Sequence, residues 1–186
     1  AIKEEIPLLI KYKSFKSKHA VEKIYNPYLL KEFRNRWFLI SKQKNNNSLI
    51  TLALDRIVDI DAMAKSGFSP HQGVDFERYF NDVIGVTKSE RDRGQKVLLQ
   101  IDRANAPYIE TKPLHSSQQI IHRAENGAII IRIDVVLNFE LEREILGFGE
   151  CVKVLAPKSL ENRIQYRLKK AVRNYELDSS KNSYEK

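Results

Sequence analysis

The strongest constraint on the fold is a change of hydrophobic period part-way along the chain. Up to about residue 61 apolar and polar residues alternate in short runs, the period-two signature of strands with one wet face. Residues 8–15 (LLIKYKSF) put Leu8, Ile10 and Tyr12 on one side and Lys11 and Lys13 on the other. Residues 21–33 form a second extended run, whose Pro27 belongs at an edge or a bulge because proline cannot donate to a ladder. Residues 35–42 (NRWFLISK), 49–53 and 56–61 (RIVDID) read as three further strands, with 43–48 (QKNNNS) as a hairpin loop. Five short sequential strands with tight turns predict a small β-barrel, since closure protects the edges.

Residues 63–95 have no sustained period. Gly67, Pro70 and Gly73 interrupt them, so they are read as a linker with a short helix over 76–83 and a charged loop over 85–94. From residue 96 to 176 the pattern becomes strand (97–101), helix (104–111), strand (118–123), strand (129–136), helix (ending near Leu146) and strand (151–155), which is the ferredoxin-like α+β order. Asn126-Gly127 marks a turn, Asn138 caps the second helix and Gly147 ends it. Ser159 is expected to cap a last long helix, with the apolar stripe Leu160, Ile164, Leu168, Ala171 and Tyr175. Residues 177–186 are expected to be a disordered tail.

The 186 residues are enough for two small domains without staples, and a single cysteine, Cys151, leaves no intramolecular disulfide. No signal peptide and no bilayer-length apolar run are visible, so a cytoplasmic protein without a membrane partner is expected. A formal charge of +8 directs attention to polyanions. The histidines at 19, 71, 115 and 122 match no zinc spacing, and Ser116, Ser117 and the carboxylates form no triad or paired-acid motif. No cofactor and no enzymatic activity are expected, and His115 is read as a hydrogen-bonded structural residue.

Three motifs in the first half, Asn26-Pro27-Tyr28, Arg36-Trp37-Phe38-Leu39 and Leu54-Asp55-Arg56-Ile57, resemble the WYL domain, a Sm-like barrel. The second half resembles the C-terminal extension that follows it, through the segments PLHSSQ (113–118), LGFG (146–149) and VLAP (154–157). The resemblance implies a five-stranded Sm/SH3-like barrel over residues 1–62, a ferredoxin-like extension over 96–176 and a C-terminal helix. It implies the sensing and dimerising region of a bacterial transcriptional regulator. The effector would be a nucleotide or single-stranded nucleic acid, the oligomer a homodimer. Promoter DNA would be read by an N-terminal winged helix-turn-helix for which residues 1–6 are too short. Phe38 stands where the family triplet has tyrosine, and Ile50 and Ala53 stand where arginines are often found.

Ligand-binding residues are expected on the barrel: Arg56 first, supported by Arg36 and Lys23, with Lys11, Lys13, Tyr12 and Trp37. A guanidinium fork can take two phosphate oxygens at once, and an exposed aromatic can stack on a base. Each has a plainer reading. Arg56 could pair with Asp55 to hold the fifth strand, and the resemblance favours ligand binding with Asp55 orienting the arginine. The lysines and Arg36 alternate with apolar residues and could simply be solvated. Tyr12 lies on the apolar side with its hydroxyl at the rim, and at least two of Trp37, Phe38 and Leu39 should be core. Arg163, Arg167, Lys169, Lys170 and Arg173 flank the stripe of the last helix. A second reading is a stand-alone single-stranded nucleic-acid-binding module.

Overall fold

Strand β1 (Leu8–Tyr12) buries Leu8 and Ile10 and exposes Lys11, as its alternation requires. The computed structural model describes residues 1–46 and 48–178, which divide into two units, Ala1–Asp92 and a second from Arg93 onward. In the first unit β1 is joined by β2 (Val21–Phe33), β3 (Arg36–Gln43), β4 (Leu49–Ala53) and β5 (Ile57–Ala62) in one antiparallel sheet of order β4-β3-β2-β1-β5. The core under it is Leu8, Ile10, Tyr25, Leu39 and Leu52, with Tyr12, Ile50, Leu54 and Ile57 packed against it.

Three boundaries differ from the sequence reading. β1 ends at Tyr12 rather than at residue 15: Lys13 N–H still donates to the Arg56 carbonyl (3.1 Å), but the turn closed by Ser17 N–H to the Ser14 carbonyl then leads the chain away. Arg56 ends a 3-10 turn (Leu54–Arg56) instead of opening β5, so its side chain sits at a corner between strands. The β2–β3 hairpin is a two-residue turn with positive φ at Arg34 (52°) and Asn35 (60°), which moves the start of β3 to Arg36. Pro27 lies at a bulge of a central strand: it faces Ser41, Leu29 faces Ile40, and Tyr28 is the extra residue.

That bulge turns the Asn26-Pro27-Tyr28 motif toward the segment after β5. The buried Asn26 carboxamide accepts from Ser69 N–H (3.2 Å), and Tyr28 Oη donates to the Ser69 carbonyl (2.8 Å), so the peptide groups on both sides of Ser69 are held. Tyr28 stacks on Phe76 at 5.1 Å and meets Phe68 and His71 edge-on. Farther on, Glu90 accepts from Leu49 N–H of β4 at 2.8 Å. Residues 76–83 form successive turns rather than a helix, with bonds such as Asn81 N–H to Arg78 and Val83 N–H to Phe80, each spanning three residues.

The second unit has the expected element order: β6 (Gln95–Ile101), α1 (Ala106–Thr111), β7 (Gln119–Arg123), β8 (Ile129–Val135), α2 (Phe139–Gly147), β9 (Val152–Ala156) and α3 (Lys158–Asp178). Its antiparallel sheet runs β7-β8-β6-β9. On one face Val97, Leu99, Ile101, Ile131, Ile133 and Val135 are fully buried, and Leu141, Ile145 and Leu160 of the helices are buried with them. Asn138 caps α2 as expected, its Oδ1 accepting from Leu141 N–H (2.8 Å). The helix runs through Gly147, and the left-handed residue that follows it is Gly149 (φ 57°). Ser159 lies inside α3 and not at its cap: the Pro157 carbonyl already accepts from Leu160 and Glu161. The α3 stripe is only half used, since Leu160 and Ile164 are buried while Leu168 and Tyr175 are 40% and 80% exposed. Of the expected tail, residues 177–178 continue the helix and 179–186 lie outside the described residues.

Candidate anion-binding pocket

The corner where β1 gives way to its loop and β4 to β5 holds a concave pocket of about 420 Å³. Its wall combines Lys13, Ser14, Phe15 and Ser17 from the loop with Asp55 and Arg56 from the 3-10 turn. Two features bring these together. The Lys13 N–H bond to the Arg56 carbonyl staples loop to turn, and the turn after it aligns the Ser14 and Ser17 hydroxyls 3.0 Å apart. Lys13, Lys16 and Lys18 are all exposed along the loop, so the rim is positive.

Arg56 is the centre of the pocket. Its guanidinium lies 3.9 Å from the centroid of the Phe15 ring, and its Nε is buried with no hydrogen-bond partner among the described residues. An unpaired buried donor costs about 1–3 kcal/mol. Asp55 is not that acceptor: it pairs with Arg36 at 3.4 Å, both side chains 44% exposed. At that exposure the pair is screened and contributes little to stability, and its effect is to hold Asp55 on Arg36.

The other expected site residues lie in different settings. Lys11 sits in register between Glu22 of β2 and Asp59 of β5, which offset its charge. Lys23 shares the register of Ile10, a position of opposite facing to Lys11, and donates to Gln43 Oε1 (3.3 Å). Tyr12 packs against the core, and its hydroxyl accepts from Ala53 N–H (3.3 Å), a structural bond between β1 and β4. Trp37 is 51% exposed opposite Glu32 and does not line the pocket. Of the expected residues, then, Arg56 and Lys13 converge, and Arg36 joins them through Asp55. Phe15, Ser14 and Ser17 were not singled out from the sequence. The signal was a phenylalanine among lysines and serines (SFKSKH), in which Phe15 reads as the end of the first strand, before a basic turn over residues 16–19.

A second cavity of about 600 Å³ lies on the inner side of the same sheet, bounded by Leu8, Leu30, Leu39, Leu54, Ile57 and Ile60 and by the turn at residues 1–4. Its walls are mostly aliphatic, with Lys3 and Glu4 of the turn as the charged members of the lining. Elsewhere, Ser117 Oγ accepts from Asp134 N–H (2.9 Å) and meets His115 Nδ1 (2.8 Å), so the PLHSSQ segment ties β7 to β8. Among the described residues no group of three or more His, Cys, Asp or Glu could hold a metal ion, and no helix is long and apolar enough to cross a membrane.

Comparison with known proteins gives each unit a family. A family model described as the WYL domain matches residues 1–62, and one described as the WCX domain matches residues 93–172. None of the curated proteins matches the chain. Among solved structures, the proteasome accessory factor B/C (PafBC) of Arthrobacter aurescens is 17% identical, with 94% of this chain and 26% of that one covered and a TM-score of 0.35. A CRISPR Cas-related protein is 8% identical, with 96% and 49% covered and a TM-score of 0.53, a likeness of fold alone. The chain thus spans about a quarter and about half of the lengths of these two proteins.

Proposed function

Because the chain belongs to the WYL family and joins a WYL domain to a WCX domain, we propose that it is the effector-sensing region of a transcriptional regulator, with its anionic effector bound at the Arg56 pocket. The observation that carries this reading is the guanidinium of Arg56, held against Phe15 without a carboxylate partner among the described residues and beside Lys13 and two hydroxyls. A guanidinium so placed keeps its edge N–H groups for a phosphate, which accepts two of them in one plane. Its work is binding rather than catalysis, and the effector is a nucleotide or single-stranded nucleic acid. Arg36 supports the site by holding Asp55 away from Arg56.

We read the first sheet, with its 3-10 turn between β4 and β5, as a Sm-like barrel. The β7-β8-β6-β9 order supports a ferredoxin-like reading of the second. In this reading the second unit joins two copies of the chain, and promoter DNA is contacted by a separate domain.

Titration of the chain with phosphate-bearing ligands tests the proposal. Arg56→Ala is expected to weaken binding by about 1–3 kcal/mol, as loss of a charge-assisted hydrogen bond does, and Arg56→Lys to recover part of it. Thermal melting should leave both variants folded. Unchanged affinity in folded Arg56→Ala would remove the pocket from the function.

A further inference from the structure

We infer that the turn at residues 1–6 is the moving part that answers to the Arg56 pocket: Ile2, seated in the aliphatic cleft, props the Leu54–Arg56 turn in its binding form, so that seating of Ile2 and binding of the ligand favour each other. This rests on the reading of the Arg56 pocket as the effector site. The 3-10 turn serves two cavities at once. Leu54 and Ile57 wall the cleft of about 600 Å³, Asp55 and Arg56 wall the pocket of about 420 Å³, and Ile57 belongs to both. The turn is short and is closed by the bond from Ile57 N–H to the Leu54 carbonyl, so a shift of its aliphatic ends carries Asp55 and Arg56 with it.

The group seated in the cleft belongs to the chain itself. Ile2 packs against the core of its unit, as Leu54 and Ile57 do, and none of residues 1–6 lines the pocket. Its turn is lightly built: Ile6 N–H donates to the Ala1 carbonyl (3.0 Å) and Glu5 N–H to the Ile2 carbonyl (3.2 Å), and Glu5 sits at a φ of 55°, which residues other than glycine rarely adopt. Just after it the backbone is tied to the end of β5, where the Pro7 carbonyl accepts from Met63 N–H (2.9 Å). Ile2 does not fill its seat, since Leu30 and Ile60 on the cleft wall stay 44% and 48% exposed. With Ile2 withdrawn, these aliphatic walls close on one another, because apolar surface leaves water when it can. Leu54 and Ile57 then move inward and draw Arg56 away from Phe15 and Lys13. A ligand that needs Arg56 in place binds the seated form more tightly, and by linkage its binding holds Ile2 in the cleft.

Isoleucine δ1-methyl NMR reads both ends of this path, since Ile2 and Ile57 carry the label together. The full chain is titrated with a ten-nucleotide thymidine strand bearing a 5′-phosphate, and binding is measured in parallel by calorimetry. The Ile2 methyl should shift with that of Ile57 and saturate with the calorimetric binding, while the methyl of Ile131, in the core of the second unit, stays in place. Ile2→Ala alters no charge and no pocket residue, yet it should weaken binding of the strand about fivefold or more, the lower end of allosteric coupling. Ile2→Leu should keep the parent affinity. The methyl shift is read on the unaltered chain, so it remains a test even if Ile2→Ala melts early. An Ile2 methyl that stays put while the strand binds, or an affinity in folded Ile2→Ala equal to the parent's or tighter, overturns the inference and leaves the anion pocket standing. A strand that does not bind, or that binds Arg56→Ala equally well, overturns the pocket reading and this inference with it.

Discussion

Asn26 is 1% exposed, and its carboxamide spends its acceptor on a backbone N–H forty-three residues away. Replacing it with alanine strands the Ser69 N–H and should destabilise the first unit by about 1–3 kcal/mol, whereas Tyr28→Phe, which removes a more exposed bond, should cost about 1 kcal/mol. The two grip the backbone of the same residue, so a double-mutant cycle read by urea unfolding should show less than additive losses. Tyr28 also gives a pH test. Burial raises its hydroxyl from 10.0 to about 12, and Tyr79 is raised likewise to about 12, by burial first and then by nearby carboxylates. A raised folded pKa means that their stabilisation is whole below pH 10 and is lost as pH climbs through 12. Alkaline melting curves should therefore be flat to about pH 10 and then fall, less steeply in Tyr28→Phe, and a fall beginning near neutrality would contradict the assignment. The Asn26-Pro27-Tyr28 motif was legible as a motif, and Pro27 as a bulge or edge. What the motif holds was not, because its partner lies beyond the reach of any local pattern. Arg56 was similar: its chemistry could be read from the sequence, but its pairing with Asp55 was left open until Arg36 was seen to take that carboxylate.

At the scale of elements, α2 and α3 separate what periodicity reports from what it leaves out. Asn138 could be read as a cap from its place before an apolar-periodic run, and it is one; Asn138→Ala should cost about 1 kcal/mol, measured by thermal or urea unfolding. The stripe of α3 has an unbroken helical period, yet only its first two members are covered. Ile164→Ala should therefore destabilise the second unit by about 2–4 kcal/mol, and Leu168→Ala by well under half of that. Comparable losses at the two positions would mean that the stripe is buried along its length in solution. Period alone shows which residues share a face, but where that face leaves the sheet is decided by tertiary packing. The same limit explains the early end of β1. Lys13 continues the alternation and still bonds to the Arg56 carbonyl, but the turn closed by Ser17 N–H on the Ser14 carbonyl then takes the chain away from β5, and Phe15 falls on the polar side.

On the scale of the whole molecule, the two-part organisation was visible as a change of period, while the allegiance of residues 63–92 was not. Their glycines, prolines and charges read as a linker, but Phe68, Phe76 and Tyr79 extend the aromatic cluster begun by Tyr28, and Tyr79, Val83, Ile84 and Val86 are buried. Lys88 is drawn in as well, its ammonium bonded to Asp82 and to the Tyr79 carbonyl. Leu49 at the start of edge strand β4 is met by Glu90, which protects one N–H that an open edge would expose. These contacts predict that a fragment of residues 1–92 folds by itself with one cooperative melting transition. A fragment ending at residue 64 keeps all five strands but loses Ser69, to which Asn26 and Tyr28 bond, and the rings that cover Tyr28. It should melt at least 10 °C lower, or not fold, since a deficit of a few kcal/mol shifts a domain of this size by about 4–8 °C per kcal/mol. Circular dichroism melts of the two fragments decide the matter, and equal midpoints would return residues 65–92 to the role of a plain linker.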